Sequence, residues 1–373
     1  ATSAVPAGAN TNQGIALTSD GQLCYTTGNT TSFNLNGVAV DSSRRVYAAP
    51  LAFELQFADL GNGVVDTTEE ITAATPTFTR ATTATTVLST GLIGSVASGS
   101  PRSYYDPTTL AYLGYLAEGA RTNLCLQSED LATTWSITRA SASVNSIAAP
   151  DSATTADKLV EDATVTSTHF MSQAITVASG VMAYSIFAKA GTRTTFQIAM
   201  SDNATGSVAA NVDLSAGTIS AASAGGSWTA TSASITAYPN GWYRCQLLAT
   251  RGAGTQTLGQ AFLSTTLGTV TYSGDGTSGA YFWGAQIEAA AFASSYIPTT
   301  TLAVARNADV LTYPTTGWLN AAAGTLLAHG QIYAVAAAQG IASLDDGTTN
   351  NRIDLRPNST VNSLSIITAA TVS

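Results

Sequence analysis

The chain has 373 residues, of which only 10% are charged, with a formal net charge of -9 and two lysines, Lys158 and Lys189. Average soluble domains carry roughly 25% charged residues, and a chain this poor in clustered Lys and Arg is excluded as a binder of phosphate backbones. Abundant Ala, Thr, Ser and Gly disfavour surface helices and suit strands, turns and hydroxyl-lined surfaces, so the expected class is all-β, with about two or three domains.

Residues 1–50 carry an internal repeat: Gly14 to Tyr25 aligns with Gly37 to Ala48. Each copy reads as strand, polar turn, strand, with Asp20-Gly21 as a tight-turn signal. Two hairpins bury little alone, so this segment needs a partner surface and is a candidate anchor, with Gly14, Asp20, Gly21 and Gly37 as its marker residues. An extension packed on the next domain is the alternative reading. No basic segment precedes an apolar run at the start, so no signal peptide is expected. Ala1-Thr2 reads as what trimming of an initiator Met leaves. No apolar run approaches the ~20 residues of a membrane-spanning helix.

Residues 51–117 read as a small β connector. Leu51 to Phe57 alternates as a half-buried strand, Phe78 to Thr82 gives another, and Tyr104-Tyr105-Asp106-Pro107 marks a turn before Leu110 to Leu116. Residues 118–305 hold strand-length alternations at Val181 to Lys189, Thr195 to Met200, Ala209 to Leu214, Ser232 to Ala237, Trp242 to Thr250 and Ala280 to Ile287. Turn clusters such as Ala216-Gly217, Pro239-Asn240-Gly241 and Gly274-Asp275-Gly276 separate them. Short strands at this spacing predict a β-sandwich or jelly roll. After Arg306 the pattern restarts, with strands expected at Gly324 to Ala328, Gln331 to Ala337, Ile341 to Asp345, Arg352 to Leu355 and Leu364 to Thr368. Residues 306–373 are few for a sandwich of roughly 100 residues, so either the product is longer or sister chains complete this part.

Cys24, Cys125 and Cys245 show no CxxC spacing and read as small buried hydrophobes made in a reducing compartment. His169 and His329 are isolated, no Gly-x-Ser-x-Gly elbow or phosphate-cradling loop occurs, and no enzyme is expected. The acidic doublets Glu69-Glu70, Glu129-Asp130, Glu161-Asp162 and Asp345-Asp346 read as loops or strand ends more readily than as a glycosidase pair. No cofactor is expected apart from a structural calcium. Asp151, Asp157, Asp213, Asp275 and Glu288 are its candidate ligands near strand ends, against the commoner reading as turn caps. Of the five tryptophans, Trp242 and Trp283 sit in alternating strands and read as core. Trp228 follows Gly225-Gly226 and reads as an exposed stacking platform for a sugar ring, assisted by Tyr238, or else as an interchain contact.

Two stretches bracket the middle of the chain. The first is Glu118-Gly119-Ala120-Arg121-Thr122-Asn123-Leu124 with Ser128-Glu129-Asp130 and Trp135. The second runs from Gly274-Asp275-Gly276-Thr277-Ser278-Gly279 through Trp283 to Glu288 and on to Ser295-Tyr296-Ile297-Pro298-Thr299. With Gly241-Trp242-Tyr243-Arg244-Cys245, they resemble a module of phage and prophage fibre, head-spike and minor tail proteins, similar in layout to carbohydrate-binding jelly rolls. The segment after Arg306 resembles the start of a laminin-G or concanavalin-like sandwich. The resemblance implies a virion protein, assembled in the host cytoplasm, anchored by its N-terminus to capsid, collar or tail and attaching to a host surface glycan. It implies a homo-oligomer, with a trimer favoured. A decoration protein without ligand and a polysaccharide-depolymerising spike are the alternatives.

Overall fold

The computed structural model describes residues 75–202 and 206–316, together with residue 319 and short strands between residues 14 and 66 and between 342 and 369. The strands expected at Leu51 to Phe57, Gly324 to Ala328 and Gln331 to Ala337 lie outside the described residues, as do Asp20, Gly21, Gly37 and His329. The described structure is all-β, and among these residues no helix is long and apolar enough to cross a membrane. The chain divides into two compact units. The first contains the N-terminal repeats, whose strands pair antiparallel: Gly14–Leu17 with Leu23–Thr26, and Val38–Val40 with Val46–Tyr47.

The second unit includes Thr77–Thr312 and centres on a β-sandwich. Its strands, in chain order, are β1 (Ser136–Thr138), β2 (Ala140–Ile147), β3 (Ala156–Glu161), β4 (Phe170–Thr176), β5 (Gly180–Lys189), β6 (Thr195–Ser201) and β7 (Gly206–Asp213). There follow β8 (Thr218–Ile219), β9 (Ser223–Gly226), β10 (Trp228–Tyr238), β11 (Trp242–Arg251), β12 (Gln256–Ser264) and β13 (Gly279–Glu288). One sheet has the order β2-β3-β13-β5-β11-β10. The other has β1-β4-β12-β6-β7-β8, with β9 also paired to β7. The inner four strands of each sheet, β3-β13-β5-β11 and β4-β12-β6-β7, interleave as two Greek keys, which makes the sandwich a jelly roll.

The two sheets enclose one core, in which Leu159, Tyr184, Ile186, Phe196, Ile198, Met200, Leu247 and Phe282 are fully buried. The first sheet is covered on its other face as well. There Phe187, Tyr238, Trp242, Trp283 and Tyr296 pack with Val87 and Ile93 from the segment before residue 118. Phe187 is the centre of this second cluster, edge-on to Tyr238, Trp283 and Tyr296 at 5.1, 5.4 and 6.3 Å between ring centroids. Burial on both faces explains why β5 and β13 read as near-continuous apolar runs, whereas β6 and β7 alternate. Among the described residues, the second sheet has an open depression on its outer face.

The segments flanking the sandwich pair with each other. Arg121–Asn123 pairs with Val304–Arg306, and Thr77–Thr79 pairs with Val310–Thr312. Asn123, fully buried, donates to the carbonyls of Ala285 (3.1 Å) and Ile297 (2.8 Å) and accepts from the N–H groups of Cys125 and Ile287. Beside it lies a buried ionic network. Asp309 bridges Arg80 (2.8 Å) and Arg102, and Glu118 meets Arg102 at 3.0 Å and Arg306 at 2.7 Å. In the Gly274–Gly279 turn, a Cβ at Gly274 would sit 1.9 Å from the Asp162 carbonyl oxygen, and one at Gly279 would sit 2.0 Å from that of Leu159. Only glycine permits such an approach. Further along, Ala342–Asp345, Arg352–Pro357 and Leu364–Ala369 form a three-stranded antiparallel sheet, at the places expected for strands.

Candidate functional site

Neither expected aromatic platform is exposed. Trp228 is 4% exposed and joins the inter-sheet core under the guanidinium of Arg251, and Tyr238 is 9% exposed in the second cluster against Phe187. They lie ten positions apart on one strand, so regular alternation would put both rings on one face. A bulge between Ala230 and Ser232 inserts one residue opposite β11 and reverses the parity, and the two rings turn into opposite cores. With no ring face open, neither residue can stack on a sugar.

The candidate calcium ligands are not brought together either. Asp157 accepts from the N–H groups of Leu131 and Asn145, both at 2.7 Å, and Asp151 accepts from Ala153 N–H. Asp213 caps the Ser215-Ala216 turn, and Asp275 caps Thr277 and Ser278. Glu288 is buried with Ser294 and Gln286 as donors. The turn-cap bonds hold the carboxyls of Asp213 and Asp275 below the usual carboxylate range, while burial raises those of Asp151, Asp157 and Glu288. Among the described residues, no group of three or more His, Cys, Asp or Glu side chains is placed to hold a metal ion. Of the acidic doublets, Glu161 is tied to Arg193 and Tyr272, and Asp130 caps Ala132. Glu69-Glu70 and Asp346 lie outside the described residues. Cys125 and Cys245 are free, fully buried thiols whose ionisation burial suppresses. His169 is buried, its Nδ1 bonded to the Arg139 carbonyl oxygen and its ring against Tyr272.

What the fold does leave open is a groove of about 510 Å³ on the outer face of the second sheet, lined by Gln197, Ser207, Ala209, Asn211, Ser220 and Ser223 among others. Its origin is visible in the strand pattern. In β6 and β7 the inward residues Phe196, Ile198, Val208 and Val212 fill the core, which points Gln197, Ala209 and Asn211 outward. Ala199 and Ala209 are register partners on this face. The methyl side chain of Ala209, where strands of this kind usually carry a branched or aromatic one, lines the depression. The β8–β9 segment forms one wall, with Ser220 N–H donating to the Asn211 carbonyl and the Ser220 hydroxyl accepting from Asn211 N–H.

A single row of side chains crosses the face. Register pairs Phe170 with Phe262, Phe262 with Gln197, and Gln197 with Asn211, at strand spacings of about 4.8 Å. Phe170 and Phe262 are half-buried and stacked at 4.6 Å between centroids. Gln197 Nε2 donates to Asn211 Oδ1 at 2.9 Å. Whichever way the two amides are turned, that bond uses one NH₂ group and one carbonyl between them and leaves the other NH₂ and carbonyl for a ligand. Gly268, at φ +85°, lets the Thr265–Thr269 turn come against Asn211, where a Cβ would sit 3.4 Å from Nδ2.

No family model and no curated protein matches this chain. None of the residues lining the groove is charged, and none is a carboxylate. The two-carboxylate arrangement of glycoside hydrolysis is not found in it. Its amides and hydroxyls can donate to and accept from a polar ligand.

Proposed function

We propose that this chain is a fibre or spike subunit of a virion whose jelly roll attaches the particle to an uncharged surface glycan, bound in the groove between Phe262 and Ser220. One observation carries the binding part: the outer face of the second sheet presents a depression lined by two amides and several serine hydroxyls, with an aromatic pair next to Gln197 in the same row. Sugars and their substituents offer hydrogen-bonding groups to such amides and C–H groups to such rings. The virion setting is supported by the resemblance of the two bracket motifs and by a charge-poor, hydroxyl-rich surface suited to packing against identical chains. Assembly would also cover sheet edges that otherwise invite aggregation.

The groove is tested by filling it. Ala209→Trp places a large side chain in the depression without touching the core. The full chain should retain its unfolding midpoint yet lose at least tenfold in affinity for whatever neutral glycan the native protein retains on an array. An unchanged affinity would move the site elsewhere. Native protein that binds no glycan at all would leave the decoration reading as the better one. The anchor role of residues 1–50 is read separately: particles assembled with a chain lacking them should lose the subunit, and normal incorporation would end that idea.

A further inference from the structure

The order of groups along the row specifies more than a neutral sugar. Passing across the sheet, the face presents an apolar ledge (Phe170 and Phe262), then an amide pair with one carbonyl and one NH₂ left over, then the Ser220 hydroxyl. Phe170 and Phe262 stack on each other, so each has one ring face already covered. They present a narrow ledge, better matched to a methyl group than to the broad face of a sugar ring. Gln197 is the direct cross-strand neighbour of Phe262, with Cβ atoms of such pairs ~5 Å apart. A ligand group that reaches both must carry an apolar tip, a hydrogen-bond donor and a hydrogen-bond acceptor within one short unit.

An acetamido group has that composition: a methyl, an N–H and a C=O. We infer that the groove selects glycans bearing N-acetylated amino sugars, with the acetamido methyl on the Phe170/Phe262 ledge and its amide paired with Gln197 and Asn211. This rests on the groove being a glycan site, as proposed above. The uncharged lining disfavours sugars that also carry a carboxylate, because the anion would lose hydration without gaining a cationic partner.

The test is an array of neutral glycans, matched in length and linkage, with and without acetamido groups, probed with the full chain. The expected result is at least tenfold preference for the acetamido members. Gln197→Met, which keeps the side-chain volume but removes the amide, should reduce that preference to less than threefold while the unfolding midpoint holds. Phe262→Ser should do the same through the methyl. Retention of glycans with equal affinity whether or not they carry acetamido groups would overturn the inference and leave the glycan site standing. Retention of none would overturn both. A preference that survives both substitutions would place acetamido recognition outside this groove.

Discussion

Replacing Asp309 with alanine should destabilise the second unit by about 3–5 kcal/mol, the usual cost of removing one partner from a buried ion pair. The Asp309 side chain is fully buried and bridges two guanidiniums, Arg80 and Arg102, that are themselves fully buried. It also accepts the Glu118 N–H at 2.9 Å. Alanine would remove the carboxylate that faces buried Arg80, leave Arg102 with Glu118 as its carboxylate partner, and loosen the strand Val310–Thr312 that closes on Thr77–Thr79. Asp309→Asn, which keeps an acceptor without the charge, should fall between wild type and alanine. Urea unfolding followed by tryptophan fluorescence reads this directly, since Trp242 and Trp283 lie in the cluster between the sandwich and the segment before residue 118. A loss below about 1 kcal/mol would place the network in the solvated class of surface pairs.

That network also shows where reading the sequence stops. The strands Val181 to Lys189, Thr195 to Met200 and Trp242 to Thr250 were legible because apolar alternation and turn residues are local signals, and their observed bounds differ by a residue at most. The partnership of Arg80 with Asp309 spans 229 positions and leaves no local trace. Glu118 was visible as a motif residue and Arg306 as a segment boundary, but not as an ion pair. Trp228 was misread for a related reason. Gly225-Gly226 resembles a loop, yet those glycines pair in register with β7, and a bulge that no residue type announces then sets which way the ring turns. The groove had a signal that went unused. Amides at Gln197 and Asn211 and the small side chain of Ala209 occupy outward positions of two strands, a pattern that marks a polar depression once sheet neighbours are known.

Acid should act on the same network through Glu118. Burial alone would favour its neutral form, but the guanidiniums of Arg102 and Arg306 and two donors from Ser295 hold its pKa down to about 2 from an ordinary 4.5. A carboxyl depressed in the folded state contributes stability that is fully present above the unfolded value and is lost as pH falls through the folded value. The window is therefore from 4.5 down to about 2, and the contribution at neutral pH is about 3 kcal/mol at 1.36 kcal/mol per pKa unit. Other carboxyls pull the opposite way. Burial raises Glu129, Asp151, Asp157 and Glu288, so each favours the fold as it takes up its proton and costs stability once the pH exceeds its folded value. Glu161, Asp213 and Asp275 are held low as well and add to the loss on the acid side. Glu118→Gln isolates the share of Glu118. The gap in unfolding free energy between wild type and variant should be widest at neutral pH and close progressively as the pH falls from 4.5 to about 2. A gap that stays constant across that range would mean that Glu118 is not held ionised by Arg102 and Arg306, and that the acid limb has another source.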